Sequence, residues 1–197
     1  DLRRVNALLS QLDQARMSLQ HVANYDALTN LINRRGFNQI FAEKLSQKTS
    51  EGGMLAVMFL DIDHFKRIND SLGHDAGDEL LKVIAQHIKG SVRSHEDVVA
   101  RFGGDEFCIL IGLRDREEAR NLAQRIMLKM KEPIELAGRR MVMTTSIGIS
   151  LFPEDGSTCD ELLKHADLAL YQSKGAGRNG VHFFDSNLKN RASLELQ

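Results

Sequence analysis

Two adjacent carboxylates, Asp105 and Glu106, follow two adjacent glycines, Gly103 and Gly104, in the stretch Arg101-Phe102-Gly103-Gly104-Asp105-Glu106-Phe107. Strand-forming runs flank them, Val98-Val99-Ala100 before and Phe107-Cys108-Ile109-Leu110-Ile111 after. Paired glycines between such runs read as a tight hairpin, because both central residues reach positive φ at little steric cost. A bare backbone lets a ligand approach closely, and two carboxylates beside it can hold a cation. An ordinary exposed turn uses the same residue types, so the rest of the chain has to choose between the two.

A third carboxylate, Asp61, ends the apolar run Met54–Leu60, which reads as a strand buried on both faces. Asp61-Ile62-Asp63 therefore stands at the C-terminal end of a central strand, where α/β sheets tend to place their chemistry. Neighbouring strands lie about 5 Å apart, so Asp61 can converge with Asp105 and Glu106. Carboxylates brought together repel, and a hard divalent cation relieves this; oxygen ligands with a phosphate substrate favour Mg2+ or Mn2+. Neither a Walker loop nor a Rossmann glycine pattern follows a strand, which disfavours a P-loop kinase or a dehydrogenase. Lys66, Lys174 and Arg178 are candidate phosphate neutralisers, although for each taken alone a solvated surface charge is the more common explanation.

These residues need a scaffold. Residues 1–24 lack Gly and Pro, and Leu2, Val5, Leu9, Leu12, Leu19 and Ala23 follow alternating three- and four-residue steps, with Arg16 in the one polar slot. That spacing predicts a coiled-coil-like helix reaching toward a dimer partner. Asp26 or Asn30 is expected to cap a new helix, and a helix over about 37–48 buries Phe37, Ile40, Phe41 and Leu45. After the Met54–Leu60 strand, a short helical turn carries Phe65, Lys66 and Asn69. Gly73 and Gly77 are read as bracketing a loop, before a helix from Asp78 to about Lys89. Strands over 98–102 and 107–113, a helix over 114–131, an edge hairpin over 134–144, a strand over 145–151, a helix from Thr158 and a strand over 181–184 complete the pattern. Alternation of strands and helices, with the Gly-Gly hairpin antiparallel, predicts a mixed α/β sheet flanked by helices, of the ferredoxin-like, palm type.

The bulk numbers bound the answer. The chain has 197 residues, enough for one domain with an appendage, and its 42% hydrophobic content suffices for a core. A net charge of -1 carries no signature of a nucleic-acid binder. No apolar run is long enough to cross a bilayer. Cys108 and Cys159 stand far apart without metal or redox spacing, which fits a reducing cytoplasm, and the seven histidines form no zinc pattern. The chain opens at Asp1 inside a helical pattern, so it is read as a piece of a longer protein, with sensors or membrane spans expected upstream.

The stretch Arg101–Phe107 resembles the signature of the GGDEF family, the diguanylate cyclases. Asp26-Ala27-Leu28-Thr29 with Asn33-Arg34-Arg35 resembles the family's opening. Asp61–Asp70, then Gly73-His74-Asp75-Ala76-Gly77-Asp78, resembles its nucleotide-binding block. Ser146–Ser150, Ala166–Tyr171, Lys174 and Gly177-Arg178-Asn179 are similar to its later blocks, in the family's order. The resemblance divides the chain into a signalling helix at 1–24, a GGDEF domain at 25–184 and a connector at 185–197.

It implies condensation of two GTP into cyclic di-GMP and pyrophosphate between the half-sites of a homodimer, with about two Mg2+ or Mn2+ per half-site. Carried over residue by residue, Asp61, the Ile62 carbonyl, Asp105 and Glu106 would ligate metal, and Glu106, Asp105 and Lys66 would serve catalysis. Asn69 and Asp78 would read guanine, beside Phe65; a carboxylate accepts from both N1–H and N2–H, a donor pair adenine lacks. Lys66, Lys174 and Arg178 would hold the triphosphate, with room left by Gly103 and Gly104.

One block departs. The family's product-inhibition site has Arg-x-x-Asp; Asp97 holds the Asp position, Ser94 the Arg position, and Arg93 is one residue out of register. Weak or absent product inhibition is the expected consequence. Asn30 and Ile32 also depart from the family's more usual Gly and Pro near the opening. The tail resembles the connector to a downstream EAL phosphodiesterase domain, which keeps open a second reading: a catalytically silent GTP-binding module that regulates such a domain.

Overall fold

The computed structural model describes residues 1–93 and 96–187. Its first element, α1 (Leu2–Asn24), carries no buried residue, so its apolar stripe faces away from the domain. The chain then folds as α2 (Arg34–Glu51), β1 (Met54–Ile62), α3 (Phe65–Leu72) and α4 (His74–Ser91). β2 (Val98–Gly103), β3 (Glu106–Leu113) and α5 (Arg116–Met130) follow, then β4 (Ile134–Leu136), β5 (Arg139–Met141), β6 (Thr145–Phe152), α6 (Cys159–Gly175) and β7 (Gly180–Phe183).

The main sheet has five strands in the order β2-β3-β1-β6-β7; β1 runs antiparallel to both neighbours and β7 parallel to β6. This is the mixed, ferredoxin-like architecture the alternation predicts. β1 is central, and its side chains serve two cores in alternation. Ala56, Met58 and Leu60 join Leu80, Ile84 and Ile88 of α4 and Leu122 and Ile126 of α5 on one face. Leu55, Val57 and Phe59 join Phe37 and Phe41 of α2 and Leu162 and Leu170 of α6 on the other. Burial on both faces explains the uninterrupted apolar run.

Several boundaries differ from expectation, each for a local reason. Asp26 starts no helix: it accepts from Thr29 N (2.9 Å) and Thr29 Oγ1 (2.7 Å), which closes a turn instead. α2 begins earlier, at Arg34, because Asn33 caps it by accepting from Gly36 N at 3.0 Å. Residues 74–77 are not a loop but the first turn of α4; a Cβ on Gly77 would lie 1.8 Å from Asn69 Oδ1, so glycine marks close helix approach there rather than a break. The β4–β5 hairpin is a separate two-stranded sheet, not an edge of the main one. The weak helical spacing of the tail at Leu188, Ala192 and Leu196 lies outside the described residues, as does Ser94.

Candidate active site

Backbone register brings the acidic residues together. Asp61, near the end of β1, pairs directly with Glu106 at the start of β3, and Asp105 lies in the turn between β2 and β3. Gly103 (φ 141°) and Gly104 (φ 48°) both take the left-handed side of backbone space, and a Cβ at either would meet nothing within 4 Å. Glycine is needed there for conformation, and the space it leaves is open to a ligand.

The carboxylates perturb one another. Burial raises the Asp105 carboxyl above its ordinary value, and the Asp61 charge raises it further, against the opposing pull of Lys174. Glu106 is raised by burial, then by Asp61 and by Asp167 of α6, while Arg34 opposes. Asp167 is itself raised by burial and by Asp61. Lys174 Nζ donates to Asp61 Oδ2, whereas Asp61 Oδ1 is buried with no hydrogen-bond partner among the described residues.

A cleft of about 520 Å3 opens beside this cluster. Asp61, Ile62, Asp105, Lys174 and Arg178 line it from the sheet and α6 side, and Phe65, Lys66 and Asn69 from α3. Of the other predicted site residues, Asp78 follows Gly77, whose close contact with Asn69 joins the first turn of α4 to α3. The Asp78 side chain does not line the cleft and makes no hydrogen bond or ion pair with the described residues, so its carboxylate is free for a ligand. Gly103, Gly104 and Glu106 do not line the cleft; Glu106 sits beside Asp61 on the face toward Arg34 and Asp167.

Three features escaped sequence reasoning. Asp63, only 3% exposed, accepts from Ser146 Oγ (2.6 Å), Thr144 Oγ1 (2.6 Å) and Asn179 N (2.9 Å), tying the segment after α6 to the end of β1. Arg101 donates through its guanidinium to both Asp26 oxygens (2.9 and 3.1 Å) and through Nε to Gly104 O (2.9 Å), so it holds the glycine turn against the segment after α1. Burial works to raise the Asp26 carboxyl, but hydrogen bonds from Thr29 and Arg101 with the Arg101 charge outweigh it and hold the group below its usual value. Arg34 stacks over the Phe102 ring, 4.9 Å from its centroid. The Asp-x-x-Thr spacing is the one signal in the chain that pointed to the Asp26 turn.

Among the described residues no three or more acidic, His or Cys side chains already form a ligand set. The donors nonetheless fit a hard cation: a buried oxygen of Asp61 lacks a partner, two raised carboxyls flank it, and a lysine ammonium already supplies positive charge there. Arg93 and Asp97 lie elsewhere, at the other end of β2, on a separate cavity of about 570 Å3 that Lys44, Lys89 and Tyr25 also line.

The family model described as diguanylate cyclase, GGDEF domain, matches residues 23–180. Cyclic di-GMP phosphodiesterase NbdA of Pseudomonas aeruginosa is 58% identical over 98% of this chain, which covers 25% of NbdA. Diguanylate cyclase TpbB of the same species is 41% identical over 92% of the chain, which covers 44% of TpbB. The structure of the coiled coil and GGDEF domain of DgcB from Caulobacter crescentus, in complex with c-di-GMP, superposes with a TM-score of 0.85 at 26% identity, covering 92% of this chain and 96% of that one. The chain thus spans less than half the length of these curated relatives.

Proposed function

The chain belongs to the GGDEF, diguanylate cyclase family, and from that premise we propose that it is an active cyclase domain, condensing two GTP into cyclic di-GMP between two copies of itself. The observation that carries this is Asp61: a buried carboxylate oxygen without a partner, in register with Glu106 and beside Asp105 and Lys174 at the cleft. A retired site has no use for that arrangement, since an unpaired buried acceptor costs stability.

Asp61, the Ile62 carbonyl, Asp105 and Glu106 would hold Mg2+ or Mn2+, which when bound would offset phosphate charge and acidify the attacking hydroxyl. The chain's own residues do the rest. Lys66, Lys174 and Arg178 bind and orient the triphosphate. Asn69 and the free carboxylate of Asp78 take the guanine edge. The open glycine turn admits the phosphates. In each half-reaction a 3′-hydroxyl oxygen bonds to the α-phosphorus of the opposite GTP, the bond to the β-phosphate oxygen breaks, and pyrophosphate leaves. Glu106 accepts the hydroxyl proton. The exposed stripe of α1 supports pairing of two copies in parallel, which would bring the half-sites together.

Incubation with GTP and Mg2+ or Mn2+, followed by nucleotide separation, tests this, and cyclic di-GMP is the expected product. GTP binding without product from a dimeric sample would sink the enzyme reading. It would favour instead a silent module that regulates an attached EAL phosphodiesterase domain. The specific observation behind that second reading is the 58% identity to a protein named a phosphodiesterase.

A further inference from the structure

The structure carries a second groove, of about 540 Å3, between α3 and the segment that runs from β5 into β6. Its floor is apolar: Ile68 and Leu72 of α3 face Met141 and Met143. Its rim is basic. The guanidiniums of Arg67, Arg139 and Arg140 make no ion pair or hydrogen bond with the other described residues. Asp63 is the acid among its lining residues, and that carboxylate is already engaged by Thr144, Ser146 and Asn179. The same bonds fix the wall, with Asp63 N donating to Thr144 O at 2.9 Å.

Two more observations say what would fit. β5 pairs with β4 along one edge and with no other described strand along the second, so its outer peptide groups are available for strand addition. Next to that edge Val142 is 60% exposed, an apolar side chain with nothing to cover it. Two arginines on an open edge repel a basic strand and admit an acidic one. Methionine floors adapt to varied apolar side chains.

We propose that this groove docks an extended acidic segment of a partner protein, adding it as a strand to β5, with acidic side chains on the face of Arg140, the alternate apolar ones on Met141 and Met143, and Arg67 and Arg139 adding positive charge at the rim. This does not depend on turnover of GTP.

The probe is a short fluorescein-labelled peptide alternating glutamate and valine, titrated with the whole chain. Fluorescence anisotropy should show saturable binding that weakens with salt, and amide NMR shifts should centre on residues 139–143. The double reversal Arg139→Glu/Arg140→Glu should weaken binding by about tenfold or more while the melting temperature is kept. Arg140→Gln, expected to weaken binding less, keeps the test open if the double reversal disturbs the hairpin. A peptide with lysine for glutamate, or proline for valine, should not bind, the second because it lacks alternate backbone donors. Absence of saturable binding, equal binding to both charge variants, equal binding of the proline peptide, or shifts confined to the nucleotide cleft would each overturn the proposal. So would an arginine-dependent affinity for phosphatidylserine vesicles without peptide binding, which would make this a membrane-facing surface instead.

Discussion

Asp61 and Asp63 flank one residue at the end of β1, yet their surroundings differ completely. Asp63 is buried and accepts from Ser146, Thr144 and Asn179. Asp61 has one oxygen on Lys174 and the other buried with no partner. The first region is closed chemistry, with the protein supplying every donor the carboxylate takes. The second is open chemistry, with a buried acceptor that no donor among the described residues fills. Asp78 falls with Asp61 in the open class, and Asp26, gripped by Arg101 and Thr29, with Asp63 in the closed one. A carboxylate's role here follows from whether the fold completes its hydrogen bonds, more than from its place in a motif.

Substitutions should separate the classes. The largest effect is expected in the open region: Glu106→Ala and Asp61→Asn should each lower cyclic di-GMP formation by at least about 100-fold, read by nucleotide separation, with the folded state retained by circular dichroism. Retained product would remove these residues from the site. In the closed region Asp63→Ala should cost about 3 kcal/mol of stability, read by urea unfolding; an unchanged midpoint would erase the contrast. Asp78→Asn should cut the preference for GTP over ATP by about tenfold and leave stability alone. Binding competition measures it, and an unaltered preference would mean that guanine is read elsewhere.

The smallest effect concerns acid. The Asp26 carboxyl lies below its ordinary value of 3.8 in the folded protein. Its contribution to stability is therefore complete above about that value and lost as pH falls through the lower folded one. Asp26→Asn should flatten that part of the acid unfolding profile, and identical slopes would argue against the Arg101 contact.

Much of this was legible in the chain. The run Met54–Leu60 announced a strand buried twice over, and the glycine pair announced its hairpin. The acidic residues at Asp61 and Asp105-Glu106 could be set side by side from strand spacing alone. What stayed hidden was long-range or competitive. Nothing near Arg101 points to Asp26, a partner 75 residues away, and nothing near Asp63 points to Asn179. Asp26 was misread because its side chain satisfies local backbone and hydroxyl donors, which gives the segment an alternative to helix. Gly77 was misread because a glycine that admits a neighbouring helix looks the same in sequence as one that ends its own.

The junction after α1 also has a mechanical side. Asn33 Nδ2 donates to Ala23 O at 3.0 Å and Asn33 N to Asn24 O at 2.9 Å, and Tyr25 forms a β-bridge with Ile32, so the last turn of the rod is stitched to the start of α2. Asp26, the residue after that stitch, grips Arg101, which in turn grips Gly104 O. Arg101 thus joins the foot of the rod to the glycine turn. The path from Asp26 to Gly104 therefore runs through one arginine, ion-paired to Asp26 at one end and hydrogen-bonded to Gly104 O at the other.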